Sequence, residues 1–426
     1  MSINLSREYN NTMSQITLSK DQEKAYKLIA KWLGGGGCVT SKQKNPKLLT
    51  LAGLGGCGKT FLVSLLAKEF DKSIRFAFCA LSGRAASVLG NKLKANGITI
   101  SNKESHYCGT IHRLIYKPIE NDKGEIIYWA KKDVLDYDVI VLDEASMISE
   151  DIFKDLSSYN VDILAVGDHG QLPPIEGKFC LMKEPHIKLE KIHRQAEGNP
   201  IISLAMTVRE TGKIPTNYKN NNHVQIIKKS EYIPLIESIY LKEKDPIKLL
   251  DTAILCYKNT TRCNLNTTIR KMIFGSYLKQ PVANDLVVCL RNSKGHVKDP
   301  IYNGFRGYIH SSITELDDDF IEARVNFPDE GINKTISNIC KHQFGFQKTF
   351  SSFDELKKFG MDVSHWNETG MLFDYGYAST CHKFQGNQLD NIIVYNERPA
   401  PVDDDTYKRW LYTAVSRSSN KLTIVV

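Results

Sequence analysis

The segment Gly53-Leu-Gly-Gly-Cys-Gly-Lys59-Thr60 is the most informative part of the sequence, because it fits the pattern G-x-x-x-x-G-K-[ST] and lies between two predicted elements. The apolar run 48–52 before it predicts a strand, and the leucine spacing in 61–70 after it predicts a helix. Glycines let backbone N–H groups turn inward around phosphate oxygens, and a helix N-terminus adds the positive end of its dipole. The sequence therefore predicts a phosphate-binding loop, or P-loop. Its predicted nucleotide-binding residues are Gly53, Gly55, Gly56, Cys57, Gly58, Lys59 and Thr60.

Two side chains of this loop carry chemistry beyond the backbone cradle. Lys59 is placed to reach the β- and γ-phosphates of a nucleoside triphosphate, which makes it a predicted catalytic residue as well. The hydroxyl of Thr60 is the type of hard oxygen donor that ligates Mg²⁺. The predicted cofactors are therefore ATP and Mg²⁺.

A second signal is the apolar run Val139-Ile-Val-Leu142, which ends in Asp143-Glu144. An open parallel sheet binds ligands at the carboxyl ends of its strands, so these two carboxylates are predicted to lie beside the P-loop. Asp143 is the predicted second ligand of Mg²⁺. Glu144 is the predicted general base that polarises the attacking water.

A third signal is the block Val166-Gly-Asp168-His-Gly-Gln171-Leu-Pro-Pro174, which follows another apolar strand. The amide of Gln171 is predicted to orient water or to sense the γ-phosphate, as glutamines do in GTPases. The alternative interpretation of this block is a loop that its prolines stiffen.

The alternation of strands and helices predicts the fold class. Apolar strands such as 76–80, 163–166 and 252–256 are separated by helical segments, which is typical of an α/β fold with parallel sheets covered on both faces. The region from residue 285 to about 350 changes to short alternating strands with turn residues, which predicts a small β-barrel inserted in a second α/β domain. A chain of 426 residues has room for two to four domains.

The bulk composition excludes several classes of protein. With 56 basic and 48 acidic residues the net charge is +8, a mild excess that is compatible with a polyanionic ligand. No apolar run reaches the ~18 residues of a membrane span, and the polar start lacks a signal-peptide core, so we expect a cytoplasmic protein without a membrane partner. The ten cysteines form no CxxC pair, which predicts buried free thiols and excludes a zinc ribbon.

The order of these blocks resembles that of superfamily 1 DNA helicases. Within the superfamily it resembles the 5′-to-3′, RecD-like branch and is closest in layout to Dda-type phage helicases, from about Leu18 to Val426. The resemblance implies an α/β fold of two RecA-like P-loop NTPase domains in tandem, with a small pin insertion in the first and an SH3-like β-barrel insertion in the second. The implied divisions are a polar tail (1–18), the first RecA-like domain (19–188, pin about 89–108), the second RecA-like domain (189–284 and 367–426) and the barrel (285–366).

The resemblance also assigns further residues of the nucleotide site. Gln22 matches the glutamine that reads the adenine edge, and Arg194 matches an arginine that reaches the γ-phosphate. Gln385 and Gly386 match residues near the nucleotide. Arg417, in the block Leu411-Tyr-Thr-Ala-Val-Ser-Arg417, matches a second arginine finger, which adds positive charge where the transition state spreads negative charge.

Three blocks resemble the elements that contact the nucleic-acid backbone. The helicase motif Ia corresponds to Ser82 and Gly83, with serine where the family usually has threonine, and motif Ib corresponds to Thr110 and His112. Motif V supplies Thr380, His382 and Lys383. The pin gap of 20 residues is shorter than the family's, and Ile98, Ile100, His106 and Tyr107 are its candidates for contact with a DNA fork.

The predicted function is an ATP-dependent DNA helicase that moves 5′ to 3′ on single-stranded DNA and is stimulated by it. Single-stranded DNA and DNA forks are the implied partners, with a single-strand-binding protein or a replisome component as further candidates. We expect a monomer that acts in replication, recombination or repair, in the host cytoplasm if a phage encodes it. Three alternatives stay open at this point: a translocase that displaces proteins without unwinding, a non-motor P-loop switch, and an RNA motor, since no residue discriminates the 2′-OH.

Overall fold

The computed structural model describes residues 18–34, 48–101, 105–120, 126–173, 179–190, 199–275, 278, 280–293, 301–311, 313–350, 355 and 370–426. The α-helices in these segments are α1 (Lys20–Leu33), α2 (Lys59–Glu69), α3 (Gly83–Ala95), α4 (Ile111–Ile115), α5 (Glu150–Ser157), α6 (Pro200–Thr211), α7 (Tyr232–Tyr240), α8 (Pro246–Leu250), α9 (Asn259–Phe274) and α10 (Asp404–Val415). Within the described parts of the chain, none of the helices has the length and apolar character needed to cross a membrane.

The strands are given in three groups: those of the first RecA-like domain, those of the second, and those of the antiparallel insertion within the second. Those of the first group are β1 (Leu48–Gly53), β2 (Phe76–Ala80), β3 (Tyr107–Thr110), β4 (Tyr116–Glu120), β5 (Ile126–Lys131), β6 (Val139–Leu142), β7 (Asp162–Gly167) and β8 (Ile187–Leu189). Those of the second are β9 (Val224–Ile227), β10 (Thr252–Cys256), β17 (Ala378–Thr380), β18 (Leu389–Tyr395) and β19 (Ser418–Val425). The third comprises β11 (Leu286–Cys289), β12 (Arg306–Ile309), β13 (Thr314–Glu315), β14 (Phe320–Phe327), β15 (Ile332–Cys340) and β16 (Phe373–Tyr375).

The first sheet is six-stranded, with the order β3-β2-β6-β7-β1-β8, and all of its pairs are parallel. Its central strands are apolar and buried, as expected for a sheet with both faces covered. Strands β6, β7 and β1 are neighbours, so the segments that follow them lie at one edge of the sheet. These segments are the P-loop, the Asp143-Glu144 pair and the loop that begins at Asp168.

The second sheet is five-stranded, with the order β17-β10-β18-β19-β9, and it is also parallel throughout. Helices α6 and α10 pack together beside it. Two parallel sheets, each with its own helices, confirm the predicted pair of RecA-like domains.

The third sheet is antiparallel and has the order β13-β14-β12-β11-β16, with β15 paired to β14. It occupies the region predicted as a barrel insertion, with one correction to the boundary. The prediction returned residues 367–426 to the second RecA-like domain, but Phe373–Tyr375 pairs with Leu286–Cys289 in the antiparallel sheet. All three residues of this strand are buried, and Phe373 packs in the apolar core of the insertion.

The prediction of a pin insertion at residues 89–108 was wrong. Helix α3 runs to Ala95, and β3 is the edge strand of the first sheet, so this gap is part of the first RecA-like domain. Ile98 and His106 are buried, and the His106 ring bonds the Phe76 backbone N–H at 3.2 Å. These side chains therefore pack the core and do not project toward a fork.

A hairpin that leaves the first domain later in the chain is formed by β4 and β5. Its base is fixed by a hydrogen bond of 2.8 Å from the Lys132 backbone N–H to the Ile115 carbonyl. The Tyr159 hydroxyl donates to the same carbonyl at 2.8 Å, and the Tyr116 hydroxyl donates to the Asp155 carboxylate. The sequence analysis did not predict this hairpin, because Pro118 lies within its first strand and proline disfavours a strand interior.

The antiparallel insertion is joined firmly to the second RecA-like domain. Arg306 is buried and donates to the backbone carbonyls of Leu250, Thr252 and Gly376 at 2.6, 2.9 and 3.0 Å. A buried guanidinium that loses its partners leaves an uncompensated charge, which is costly, so these bonds fix the orientation of the insertion.

The nine cysteines within the described segments carry free thiols, and six of them are buried. This agrees with the predicted free thiols; Cys38 lies outside the described residues.

Candidate nucleotide and nucleic-acid sites

The P-loop has the conformation that its glycines permit. Gly56 and Gly58 have φ angles of 83° and 77°, in the left-handed region that other L-residues rarely adopt. Gly58 is the N-cap of α2, and no side chain caps that helix. Uncapped N–H groups at a helix N-terminus, together with its dipole, form an anion-binding site. The loop is therefore shaped to receive phosphate oxygens.

The ammonium group of Lys59 lies within this loop. It donates to the carbonyl oxygens of Gly53 and Leu54, both at 2.8 Å. A hydrogen bond to an ionised phosphate is stronger than one to a neutral carbonyl, so a bound triphosphate would compete well for this side chain.

Gln22 is fully buried and braces the P-loop from helix α1. Its Nε2 donates to the Cys57 carbonyl at 2.9 Å, and its Oε1 accepts the Ser19 backbone N–H at 3.0 Å. Ser19 in turn caps the helix, which makes a complete capping box. Gln22 thus contacts the P-loop, and its role in reading adenine stays a prediction.

The carboxylates of Asp143 and Glu144 follow β6 directly. Glu144 has a left-handed backbone with φ of 52°, and its N–H donates to Asp143 Oδ1 at 3.0 Å. Burial, assisted by the neighbouring Glu144 carboxylate, raises the pKa of Asp143 to about 6. A divalent cation at this point would favour the ionised form of Asp143.

The donors at this edge fit Mg²⁺. A carboxylate from Asp143 and a hydroxyl from Thr60 are hard oxygen ligands, and Mg²⁺ typically takes one or two carboxylates with the rest from water and substrate phosphates. No cluster of three or more His, Cys, Asp or Glu side chains suited to a metal occurs in the described segments. An all-protein metal cage is therefore not what this site offers.

Most of the predicted nucleotide residues line one large cleft of about 860 Å³ between the two RecA-like domains, but Gln22, Gly53 and Cys57 do not. This volume is suitable for a nucleotide-sized ligand. The first domain contributes Lys59, Thr60, Asp143, Glu144 and Gln171, together with the P-loop glycines Gly55, Gly56 and Gly58. The second domain contributes Gly386 and Arg417.

Gln171 lines this cleft and has a buried side-chain oxygen. Its side chain is 5% exposed, and its Oε1 has no hydrogen-bond partner within the described segments. A buried polar atom without a partner is uncommon and calls for an explanation, such as a bound water or ligand. This geometry suits the predicted role of ordering a water.

Arg417 reaches the cleft from the turn after α10. The residue is 6% exposed, and its guanidinium donates to the backbone carbonyls of Thr413 at 3.1 Å and Asn387 at 3.4 Å. These two bonds hold the planar group at the cleft and leave it other N–H donors for a phosphate. Gln385, by contrast, is absent from the cleft lining: its amide donates to the Leu172 carbonyl at 3.1 Å.

Arg194, the other predicted arginine, lies outside the described residues.

In the first domain, the predicted nucleic-acid residues cap two helices. Ser82 accepts the Ala85 N–H at 3.1 Å at the start of α3, and Thr110 accepts the Arg113 N–H at 3.3 Å at the start of α4. Their hydroxyl groups keep a hydrogen to donate to a phosphate. His112 is exposed on α4, with its ring 5.9 Å from that of Tyr116.

A tyrosine from the antiparallel insertion meets the same edge of the first domain. Gly83 has no room for a side chain, because a Cβ there would lie 2.5 Å from the ring of Tyr302. The Tyr302 hydroxyl accepts a hydrogen bond from Arg113, whose guanidinium also lies 5.9 Å from the centre of the tyrosine ring. The insertion and the two predicted nucleic-acid motifs of the first domain therefore share one surface. The sequence analysis assigned Tyr302 no role.

The three predicted residues of the second domain differ in exposure. Thr380 is buried, and its hydroxyl accepts the Lys383 N–H at 3.4 Å, so it holds the turn. Burial lowers the pKa of His382, whose ring packs edge-on against Tyr257 at 5.7 Å. Lys383 is exposed, and its ammonium donates to Thr349 at 2.9 Å. Lys383 is thus the best placed of the three to bind a phosphate.

Fold and site together define the class: a P-loop nucleoside triphosphatase whose cleft is completed by an arginine from a second RecA-like domain. The family descriptions that match are "AAA domain" over residues 39–229 and "UvrD-like helicase C-terminal domain" over residues 375–425.

Relatives with established names cover nearly the whole chain. The chain is 22% identical to the ATP-dependent DNA helicase Pif1 of Campylobacter jejuni, over 88% of each chain. It is 22% identical to the ATP-dependent DNA helicase dda of Enterobacteria phage T4, over 94% of this chain and 97% of the relative. A solved structure of Pif1 helicase at forked double-stranded DNA matches with a TM-score of 0.51 and 17% identity, over 96% of this chain and 92% of that one, and so shares its fold. These matches confirm the resemblance to superfamily 1 helicases.

Proposed function

We propose that this protein is an ATP-dependent DNA helicase that moves 5′ to 3′ along single-stranded DNA and separates duplex strands. The observation that carries the proposal is the composition of the cleft. One domain supplies the P-loop with Lys59 and the carboxylates of Asp143 and Glu144, and the other supplies Arg417. A triphosphate that spans both domains links hydrolysis to their relative position, which is what a motor requires and a simple switch does not.

Each cleft residue has a distinct part in the hydrolysis of ATP. Thr60 and Asp143 would hold Mg²⁺, which neutralises charge on the phosphates. Glu144 accepts the proton of the attacking water, and the free Oε1 of Gln171 orients that water. Lys59 and Arg417 then stabilise the negative charge that builds up on the transferred phosphoryl group.

The track for single-stranded DNA crosses both domains in this proposal. Ser82 and Thr110 offer hydroxyl donors at the N-termini of helices α3 and α4, and Lys383 offers an exposed ammonium. Tyr302 adds an aromatic ring at the same surface, and bases stack on such rings without sequence preference. Contacts of this kind follow the backbone, so we expect weak sequence dependence and strong salt dependence.

The hairpin of β4 and β5 is the proposed pin that separates the strands. It follows α4 directly in the chain, close to the Thr110 motif, and its base is tied to the first domain by the Tyr116 and Tyr159 hydroxyl groups. A wedge must be held rigidly by the domain that grips the strand, and these bonds supply that support. The SH3-like identity of the antiparallel insertion, and its role as a guide for the strand, belong to the same proposal.

A test of direction and substrate uses forks that differ in one tail. We expect ATP-dependent unwinding of a DNA fork with a 5′ single-stranded tail and little or none with only a 3′ tail. The measurement is release of a labelled strand under single-turnover conditions, with the same fork in RNA as the comparison substrate.

Other outcomes of that assay would replace the proposal. Unwinding from the 3′ tail would reverse the assigned direction, and preference for the RNA fork would make the protein an RNA motor. Translocation without strand release, seen as ATP-dependent displacement of streptavidin from a biotinylated end, would identify a translocase. A single-strand-binding protein or replisome partner and the monomeric state remain predictions alongside this one.

A further inference from the structure

One hydrogen bond crosses the cleft between two residues that have no role so far, either in the sequence predictions or in the proposed reaction. The Tyr412 hydroxyl, on helix α10 of the second domain, donates to Asp168 Oδ2 in the first domain at 2.6 Å. Both side chains are 2% exposed. A buried carboxylate oxygen without a donor would be costly, so Asp168 Oδ2 depends on this partner from the opposite domain.

The phenol also meets the P-loop. Tyr412 and Gly55 both line the nucleotide cleft, and the Gly55 backbone N–H interacts with the phenol oxygen. Burial and the Asp168 carboxylate raise the pKa of Tyr412, so the phenol stays protonated and remains a donor to Asp168. A continuous path therefore runs from the P-loop through a side chain of the second domain to the loop that carries Gln171.

Further contacts around Asp168 and Gly170 show that the first domain packs closely against Tyr412 and Arg209 of the second domain. The other oxygen of Asp168 accepts the Gly170 N–H at 2.8 Å, which shapes the loop. A Cβ at Gly170 would lie 3.1 Å from the Tyr412 ring and 2.7 Å from Nε of Arg209, so a larger residue there would displace the Arg209 side chain. Arg209 lies with its guanidinium 5.7 Å from the centre of the Tyr412 ring.

Two other side chains of helix α10 form hydrogen bonds with the backbone of the same loop. Arg409 donates to the His169 carbonyl at 2.8 Å and to the Gln171 carbonyl at 3.3 Å. The Thr413 hydroxyl accepts the Leu172 N–H at 3.0 Å. These contacts hold the loop backbone and Tyr412 holds the Asp168 side chain, so the loop is bound to helix α10 of the second domain.

We propose that Tyr412 is a positioning residue for ATP hydrolysis: through Asp168 it holds the Gln171 amide at the nucleotide only when the second domain is closed on the first. The proposal rests on the proposed function, because closure is there the event that nucleic acid favours. Removal of the phenol hydroxyl should leave nucleotide binding intact and weaken the link between closure and catalysis.

The test compares Tyr412→Phe with Tyr407→Phe in the full chain. Tyr407 lies on the same helix and donates a hydrogen bond of 2.7 Å to Asn396 within the second domain, so this variant loses an equivalent bond that does not cross the cleft. The readouts are kcat and KM for ATP with and without saturating single-stranded DNA, and the melting temperature. We expect Tyr412→Phe to lower the DNA-stimulated kcat about tenfold, the scale of one lost hydrogen bond to a charged group, with KM within twofold. For Tyr407→Phe, we expect both the DNA-stimulated kcat and KM to stay within twofold of those of the unmodified chain.

A double-mutant cycle separates positioning from general destabilisation. If Tyr412 acts through Asp168, the pair Tyr412→Phe with Asp168→Ala lowers the stimulated kcat no further than Asp168→Ala alone. Three results would overturn the proposal. They are additive losses in the double variant, a stimulated kcat within twofold of normal in Tyr412→Phe, and an equal loss of kcat in Tyr407→Phe. If single-stranded DNA does not stimulate the unmodified chain, the proposed function itself fails, and that result is distinct from the other three.

Discussion

Arg417→Ala is expected to lower DNA-stimulated ATP hydrolysis by about 10³-fold while ATP binding stays near normal. The guanidinium lines the cleft from the second domain, held by the Thr413 and Asn387 carbonyls, and it contributes positive charge needed most in the transition state. Single-turnover hydrolysis measures the loss, and titration with a fluorescent nucleotide measures binding.

The control for this variant is Arg398→Ala. Arg398 is also in the second domain, but its side chain is 43% exposed, pairs with Asp404 and lies outside the cleft lining. We expect it to hydrolyse ATP at a normal rate. Hydrolysis within tenfold of normal in Arg417→Ala, with the fold intact by melting temperature, would remove Arg417 from the catalytic group.

Glu144→Gln is the second substitution with a large expected effect, a loss of about 10²- to 10⁴-fold in hydrolysis. The amide keeps the shape of the side chain but cannot accept a proton from water. It also removes a negative charge near Asp143, which should leave ATP binding undiminished. We therefore expect this variant to hold unhydrolysed ATP and to bind single-stranded DNA in that state.

Glu150→Gln serves as the matched control for Glu144→Gln. Glu150 follows a few residues later, is half-exposed and forms a surface ion pair with Lys154 at 3.0 Å. Surface pairs contribute little, so its loss should not change hydrolysis. If Glu144→Gln turns over ATP as fast as this control, another group must accept the proton.

The nucleotide site could be predicted largely from the sequence because its residues follow apolar strands. A short apolar run such as 139–142 is typical of a buried strand. Parallel strands bring their carboxyl ends to one edge of the sheet. Asp143, Glu144 and Gln171 therefore lie at the cleft with Lys59, as expected. Arg417 came from resemblance alone, since nothing in its local pattern distinguishes it from an ordinary exposed arginine.

Other features depend on tertiary contacts that the local pattern does not contain. Tyr412 and Asp168 are far apart in sequence, and helical spacing shows only that Tyr412 is buried, not which domain it meets. Residues 89–95 continue helix α3, so no hairpin lies at the predicted position of the pin, while Pro118 concealed the hairpin of β4 and β5. The exact end of the insertion was missed because Phe373–Tyr375 is too short to show an alternating pattern.

The most direct test of the central claim is steady-state ATP hydrolysis with and without single-stranded DNA, with Lys59→Ala as the blank. We expect strong stimulation by DNA in the unmodified chain and none in the blank, because closure of the cleft on bound DNA brings Arg417 and Gln171 to the nucleotide. Hydrolysis that proceeds at the same rate without nucleic acid would contradict the motor and leave a P-loop switch. Stimulation by RNA alone would move the helicase assignment to RNA.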